Sequence, residues 1–190
     1  MVRRLIAAAV TLACVGLLSS CALLPLADET KTADVEMQHI ADDVKHHDAA
    51  ALKELFSKTA RAKATDLDGQ VAKFLSFFPS GFTSWSDPDG GPGEMDESDG
   101  NGKFTALLNG NYKVHANGKT YQLLFEEYAV NTWHPDNVGL YALGVAPYNA
   151  YPTTKPTAAS NAFFDWAGQY LTKNAEATGI PSVYVYEPPK

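Results

Sequence analysis

The stretch NYKVHANGKTYQLLFEEYAV, Asn111 to Val130, constrains the fold more than any other. Asn117-Gly118 is well suited to a two-residue type I′ turn, whose central positions both need positive φ. β-branched and aromatic residues stand on both sides: Tyr112 and Val114 before the turn, Thr120 and Tyr121 after it. A two-residue turn sets the register of its arms, and one face of the pair must then meet a core. A lone hairpin is marginal in water, so further strands or a helical layer have to cover it.

The preceding residues offer that layer. Met37, Ile40, Ala41 and Val44 recur at i, i+3, i+4 and i+7, and predict an amphipathic helix over 33–47. Asp48 suits the N-cap of a short second helix carrying Leu52, Leu55 and Phe56. Thr65 or Asp66 opens a third, with Leu67, Val71, Phe74, Leu75 and Phe78 on its apolar face, and Pro79-Ser80-Gly81 stops it. Then the period shortens. GFTSWS (81–86) reads as a strand, DPDGGPGEMDESDGNG (87–102) as a long acidic loop, and Trp133 to Asn137 as a turn. VGLYALGVA (138–146) is a further apolar strand. PYNAYPTTKPT (147–157) reads as a linker, and Phe163, Trp166, Ala167, Tyr170 and Leu171 predict a last amphipathic helix stopped by Gly179 and Pro181. SVYVYE (182–187) is one more strand or a packed tail. Helices followed by an antiparallel meander is the α+β pattern. No internal repeat interrupts it.

The N-terminus has a different character. Arg3 and Arg4 precede an apolar run from Leu5 to Leu18, about the length of a signal-peptide core and too short for a membrane span. The run ends in Leu18-Ser19-Ser20-Cys21, which resembles the bacterial lipobox. The resemblance implies a diacylglyceryl thioether on Cys21, cleavage before it, and a membrane anchor of acyl chains such as palmitate. Two chains make a stable anchor where one does not. Residues 1–20 are then the signal peptide and 21–32 a tether. The expected place is the extracytoplasmic side of the cell membrane. Cleavage removes two arginines and leaves 13 basic against 22 acidic residues, a formal charge of −9. So acidic a chain, without a Lys/Arg cluster, is a poor binder of nucleic acid. The cysteines are Cys14 and Cys21, both at this end, so the body holds no disulfide framework and no cysteine metal site.

The segments DAAALKELFS, LDGQVAKFLSFFPSGFTSW, YKVHANGKTYQLLFEEYAV and HPDNVGLYALGV together resemble an uncharacterised family of small bacterial lipoproteins known as a domain of unknown function. The resemblance runs over residues 33–147. It implies a cystatin-like cone of the nuclear-transport-factor type, in which N-terminal helices pack on a curved antiparallel sheet. It supplies no activity. The remainder, 148–190, is an extension with one helix.

Candidate chemistry is sparse. G-x-S-x-G is absent and no cysteine remains after lipidation, so nucleophilic catalysis has no visible frame. His39, Asp43, His46 and His47 share part of a helix face, but H-E-x-x-H is missing, and a solvated polar face explains them. Asp87, Asp89, Glu94, Asp96, Glu97 and Asp99 offer calcium its oxygen ligands, yet their spacing fits neither the EF-hand nor the glycine-rich repeat. No metal or other cofactor is expected. Phe74, Phe78, Trp85, Tyr121, Phe125, Tyr128 and Trp133 are aromatics that line a pocket of the cone or fill its core. Asp66, Asp68, Glu126, Glu127 and His134 are the acid–base candidates, without assigned roles. Three functions stay open. One is a module that binds a small apolar ligand or an envelope protein. Another is an envelope enzyme with an acid–base pair in the pocket. The third is a structural or accessory role in a larger envelope complex.

Overall fold

In the computed structural model, residues 28–87, 92–148 and 182–185 are described. Leu18, Ser19, Ser20 and Cys21, and the helix expected around 163–171, lie outside the described residues.

Four helices lead. Helix α1, Glu29–His46, begins where the Asp28 side chain accepts from the Lys31 N–H at 2.9 Å, so the end of the expected tether is already helical. It closes at His47, in the left-handed region at φ 52°. Helix α2, Ala49–Glu54, is capped by Asp48, whose carboxylate accepts from the Ala50 and Ala51 N–H groups. Helix α3, Lys58–Lys63, was not anticipated. Its cap is Ser57, only 2% exposed, which accepts from the Ala60 N–H at 3.0 Å. Two turns with no apolar repeat leave little periodic signal. Helix α4, Leu67–Phe77, starts at the Asp66 cap as expected.

The hairpin is the spine of the sheet. Strands β3, Phe104–Ala116, and β4, Lys119–Asn131, join through Asn117 (φ 52°) and Gly118 (φ 71°), both positive as a type I′ turn requires. Strand β1, Ser84–Ser86, and strand β2, Gly93–Ser98, pair with different halves of β3. Strand β5, Gly139–Pro147, follows β4, and these pairings are all antiparallel. Strand β6, Ser182–Val185, adds in parallel to β5. Strand β2 corrects the reading of 87–102 as a loop. Its side chains are mostly exposed, so it carries no apolar alternation. The existing edge of β3 supplies its backbone partners instead, as edge strands invite.

One face of the sheet meets the helices. Met37, Ile40 and Val44 of α1, Leu52 of α2 and Val71 and Phe74 of α4 are fully covered, together with Tyr112, Leu123, Leu143 and Val145 of the sheet. Two bulges adjust this layer. Ala129 of β4 is skipped between the pairs Ala106–Val130 and Leu107–Tyr128. Tyr141 of β5 is skipped between Glu126–Ala142 and Glu127–Leu140. An extra residue reverses the alternation beyond it, which lets both Leu140 and Leu143 reach the core.

Candidate functional site

Two arrangements stand out, and they occupy opposite faces of the same strands. The first is a groove of about 490 Å³ on the face away from the helices. Its floor is two rungs across three strands, Met95–Leu107–Tyr128 and Glu97–Thr105–Asn131. The bulge at Ala129 makes the second rung possible. Tyr128 and Asn131 are three apart, and strict alternation would set them on opposite faces.

The wall is the segment after β4, with Trp133, His134 and Asn137 facing the groove. It is tied at both ends. Asn131, 5% exposed, accepts the His134 N–H on Oδ1 at 2.8 Å. Thr132 pairs with Phe104, donating N–H to its carbonyl and accepting its N–H on Oγ1 at 2.7 Å. Beyond the short 3-10 turn Pro135–Asn137, the Leu140 N–H donates to Leu55 O at 2.8 Å and the Ser57 N–H to Leu140 O at 3.0 Å. The α2–α3 connection thus clamps the start of β5. The surface pair Lys58–Asp136 at 3.3 Å lies over this clamp but adds little, since both side chains are more than 70% exposed. Met95 is 57% exposed, a large apolar side chain offered to solvent at the rim.

The second arrangement lies beneath α1. The helix-facing rung next to the groove floor is Glu94–Leu108–Glu127–Leu140. Leu108 and Leu140 are fully buried, and two carboxylates flank Leu108. Glu36 of α1 joins them, one position from the buried Met37, with its side chain 12% exposed. Loss of solvent, then the Asp43 carboxylate, pushes the Glu36 carboxyl up to about 7. Loss of solvent, then Glu36, pushes Glu127 up to about 8, against an opposing pull from His39. Glu94 rises to about 7, through lost solvent first and Asp96 second. Such a pair holds protons near neutrality and can give or take one. Neither Glu36 nor Glu127 lines the groove.

The sequence candidates divide accordingly. Phe74, Phe78 and Phe125 are fully buried and Tyr121 nearly so, in edge-on contacts such as Phe78–Tyr121 at 5.6 Å; they are core. Trp85 is half-buried and edge-on to Tyr112. Tyr128 and Trp133 do face the groove, with His134. Asp66 is the α4 cap and Asp68 pairs with Lys53 on the surface. Glu126 is buried on the groove-side face, whereas Glu127 is turned to α1. Of the helix-face set, His39 meets Glu36 at 3.5 Å, His46 bonds the Asp42 carbonyl and His47 the Pro79 carbonyl. The loop carboxylates do not converge. Glu94 and Asp96 share one face of β2 and Glu97 the other, Asp99 accepts from the Asn101 and Lys103 N–H groups, and Asp89 lies outside the described residues. Among the described residues no group of acidic, histidine or cysteine side chains could hold a metal ion. Glu36 and Met95 were missed. The signal for Glu36 was available, since it interrupts the apolar face between Ala33 and Ile40.

No helix among the described residues is long and apolar enough to cross a membrane. No curated protein matches the chain. Residues 39–150, from the middle of α1 to just past β5, match the family described as "Domain of unknown function (DUF5104)". That span holds every groove residue and more than half of the chain, and the protein belongs to this family.

Proposed function

We propose that the protein is an exported lipoprotein, held on the extracytoplasmic side of a membrane by lipid on Cys21, and that its domain is a binding module working through the β2–β3–β4 groove. The observation that carries the binding reading is the orientation of two neighbours. Tyr128 faces the groove while Glu127 faces α1, so a ligand on the aromatic floor has no access to the proton-holding pair. The groove itself matches what small-ligand sites offer, apolar rings with a few convergent polar groups. Its polar lining is Asp96, Glu97, Thr105, Asn131, His134 and Asn137, with no lysine or arginine among the described residues. That favours a neutral or cationic ligand with an apolar face over a phosphate or carboxylate. The lipobox and the two charges ahead of the apolar run support the anchor. The helix-on-sheet layout and the two bulges are in keeping with a cystatin-like cone. The second reading, an envelope enzyme, rests on the Glu36–Glu127 pair, and its substrate would have to enter beside His39.

Native mass spectrometry of the full protein, extracted from its own membranes in mild detergent, tests the proposal. The expected result is a chain beginning at a lipidated Cys21, with an added mass that leaves on gentle activation. Trp133→Ala keeps the lipid and loses the added mass. A chain starting elsewhere than Cys21 sinks the anchor. A ligand retained in full by Trp133→Ala and lost in Glu127→Gln moves the site to the acid pair.

A further inference from the structure

We propose that the seating of α1 on the sheet is a proton-dependent latch, closed while protons are held between Glu36 and Glu127, and loosened when these two carboxyls ionise.

The geometry is unusual for a helix–sheet contact. Two carboxylates meet under one helix, and each has an oxygen that is covered and without a hydrogen-bond partner: Glu36 Oε1 and Glu127 Oε2. Glu94, across Leu108 on β2, has a third such oxygen, and its own acidic neighbours are Asp96 and Glu29. Covered charge of this kind is normally paired. Among the described residues no lysine or arginine pairs with any of them. The groups that face them are few. Helix α1 presents His39, whose Nδ1 is 3.5 Å from Glu36 Oε2, and also Asp43 and Glu29. Strand β2 adds Asp96, and the rung positions on β3 and β5 are the apolar Leu108 and Leu140. His39 is the one possible cation in this set, and it is 55% exposed, so solvent screens it. Acidic neighbours therefore dominate. A protonated carboxyl removes one charge and gains an O–H that a neighbouring carboxylate can accept.

The sign follows from the raised carboxyls. The seated helix keeps protons on Glu36 and Glu127 up to about 7 and 8, against an ordinary 4.5. Once α1 lifts, those protons leave. Seating is therefore favoured in full below about 4.5 and is lost as pH rises through 7 and 8. Each proton released on opening raises the opening equilibrium by about tenfold per pH unit. Loosening stays local. Ala33, Met37, Ile40 and Val44 remain an apolar seam, and the Tyr112 hydroxyl donates to Asp34 at 3.0 Å.

Amide hydrogen exchange of the full chain, corrected for the intrinsic rate, tests the latch at pH 6 and pH 8.5. In the wild type, α1 amides should lose at least about tenfold of their protection relative to β3 and β4 at the higher pH. In Glu36→Gln/Glu127→Gln, neutral at every pH, that relative loss should vanish. Because a charge on His39 beside Glu36 would give a response of the same sign, His39→Asn is measured as well and should keep the wild-type response. Equal relative protection of α1 at both pH values in the wild type overturns the proposal, whatever the variants do. So does a response abolished by His39→Asn.

Discussion

Gly110 lies opposite Phe125 in the β3–β4 ladder, with the ring folded over its backbone. A Cβ added at Gly110 would fall well inside contact distance of three ring carbons, Cε1, Cζ and Cδ1. The ring has little freedom to yield. Phe125 is 1% exposed and stacks on Tyr112 at 5.9 Å with an interplanar angle of 12°. Tyr112 in turn stands edge-on to Trp85 at 5.5 Å and is bonded to Asp34. Forcing a methyl into so tight a core costs about 1–3 kcal/mol, and a chain of three rings puts Gly110→Ala at the upper end. Phe125→Ala deletes a buried ring and costs about 3–5 kcal/mol. In the double variant the methyl occupies space the ring has vacated. The pair should therefore cost about as much as Phe125→Ala alone, with a coupling of about 2–3 kcal/mol. Urea unfolding of the four proteins at one pH, followed by circular dichroism, supplies the cycle. If the two single costs add to within about 0.5 kcal/mol, the steric account of Gly110 is wrong.

Other outcomes follow from the same packing. Ser57→Ala removes the buried cap of α3 and should cost about 1 kcal/mol in urea, while leaving α1 protection unchanged. Asn117→Val places a β-branched residue at φ 52° and should lower stability by about 1–2 kcal/mol, whereas Asn117→Gly stays near wild type. Glu127→Gln should raise the melting temperature at pH 8.5 and change it little at pH 5, because the burial penalty it relieves exists only when the carboxyl is ionised. An equal shift at both values would assign the effect to packing.

Much of the fold was legible because its signals are local. Asn117-Gly118 sets a turn by backbone preference alone, and the hairpin register follows from it. Asp48 and Asp66 cap helices through bonds to N–H groups two or three residues on. The core face of α1 and α4 appears as helical periodicity. The elements that escaped lack such signals. Strand β2 is mostly acidic and exposed, and exists by pairing with β3; helix α3 is short and capped by a buried serine.

The sites were less legible. Aromatic residues say nothing of which face they join: Phe125 went to the core and Tyr128 to the groove because they lie an odd number of residues apart on one strand. Glu127 was suspected, but its partner Glu36 lies on a helix more than ninety positions earlier.

The sequence by itself determined helices α1, α2 and α4, the central hairpin and the α+β class, and its N-terminal segment resembles the lipobox on which the anchor proposal rests. These rest on neighbours along the chain. The tertiary structure alone decided the rest. The bulge at Ala129 brought Tyr128 and Asn131 to one face, and the docking of α1 closed Glu36 over Glu127. The physical reason is common to both. A bulge is a mismatch between two paired strands, and a raised carboxyl is a response to burial and to a charge brought from another element. Neither property belongs to a residue until its partner in space is in place.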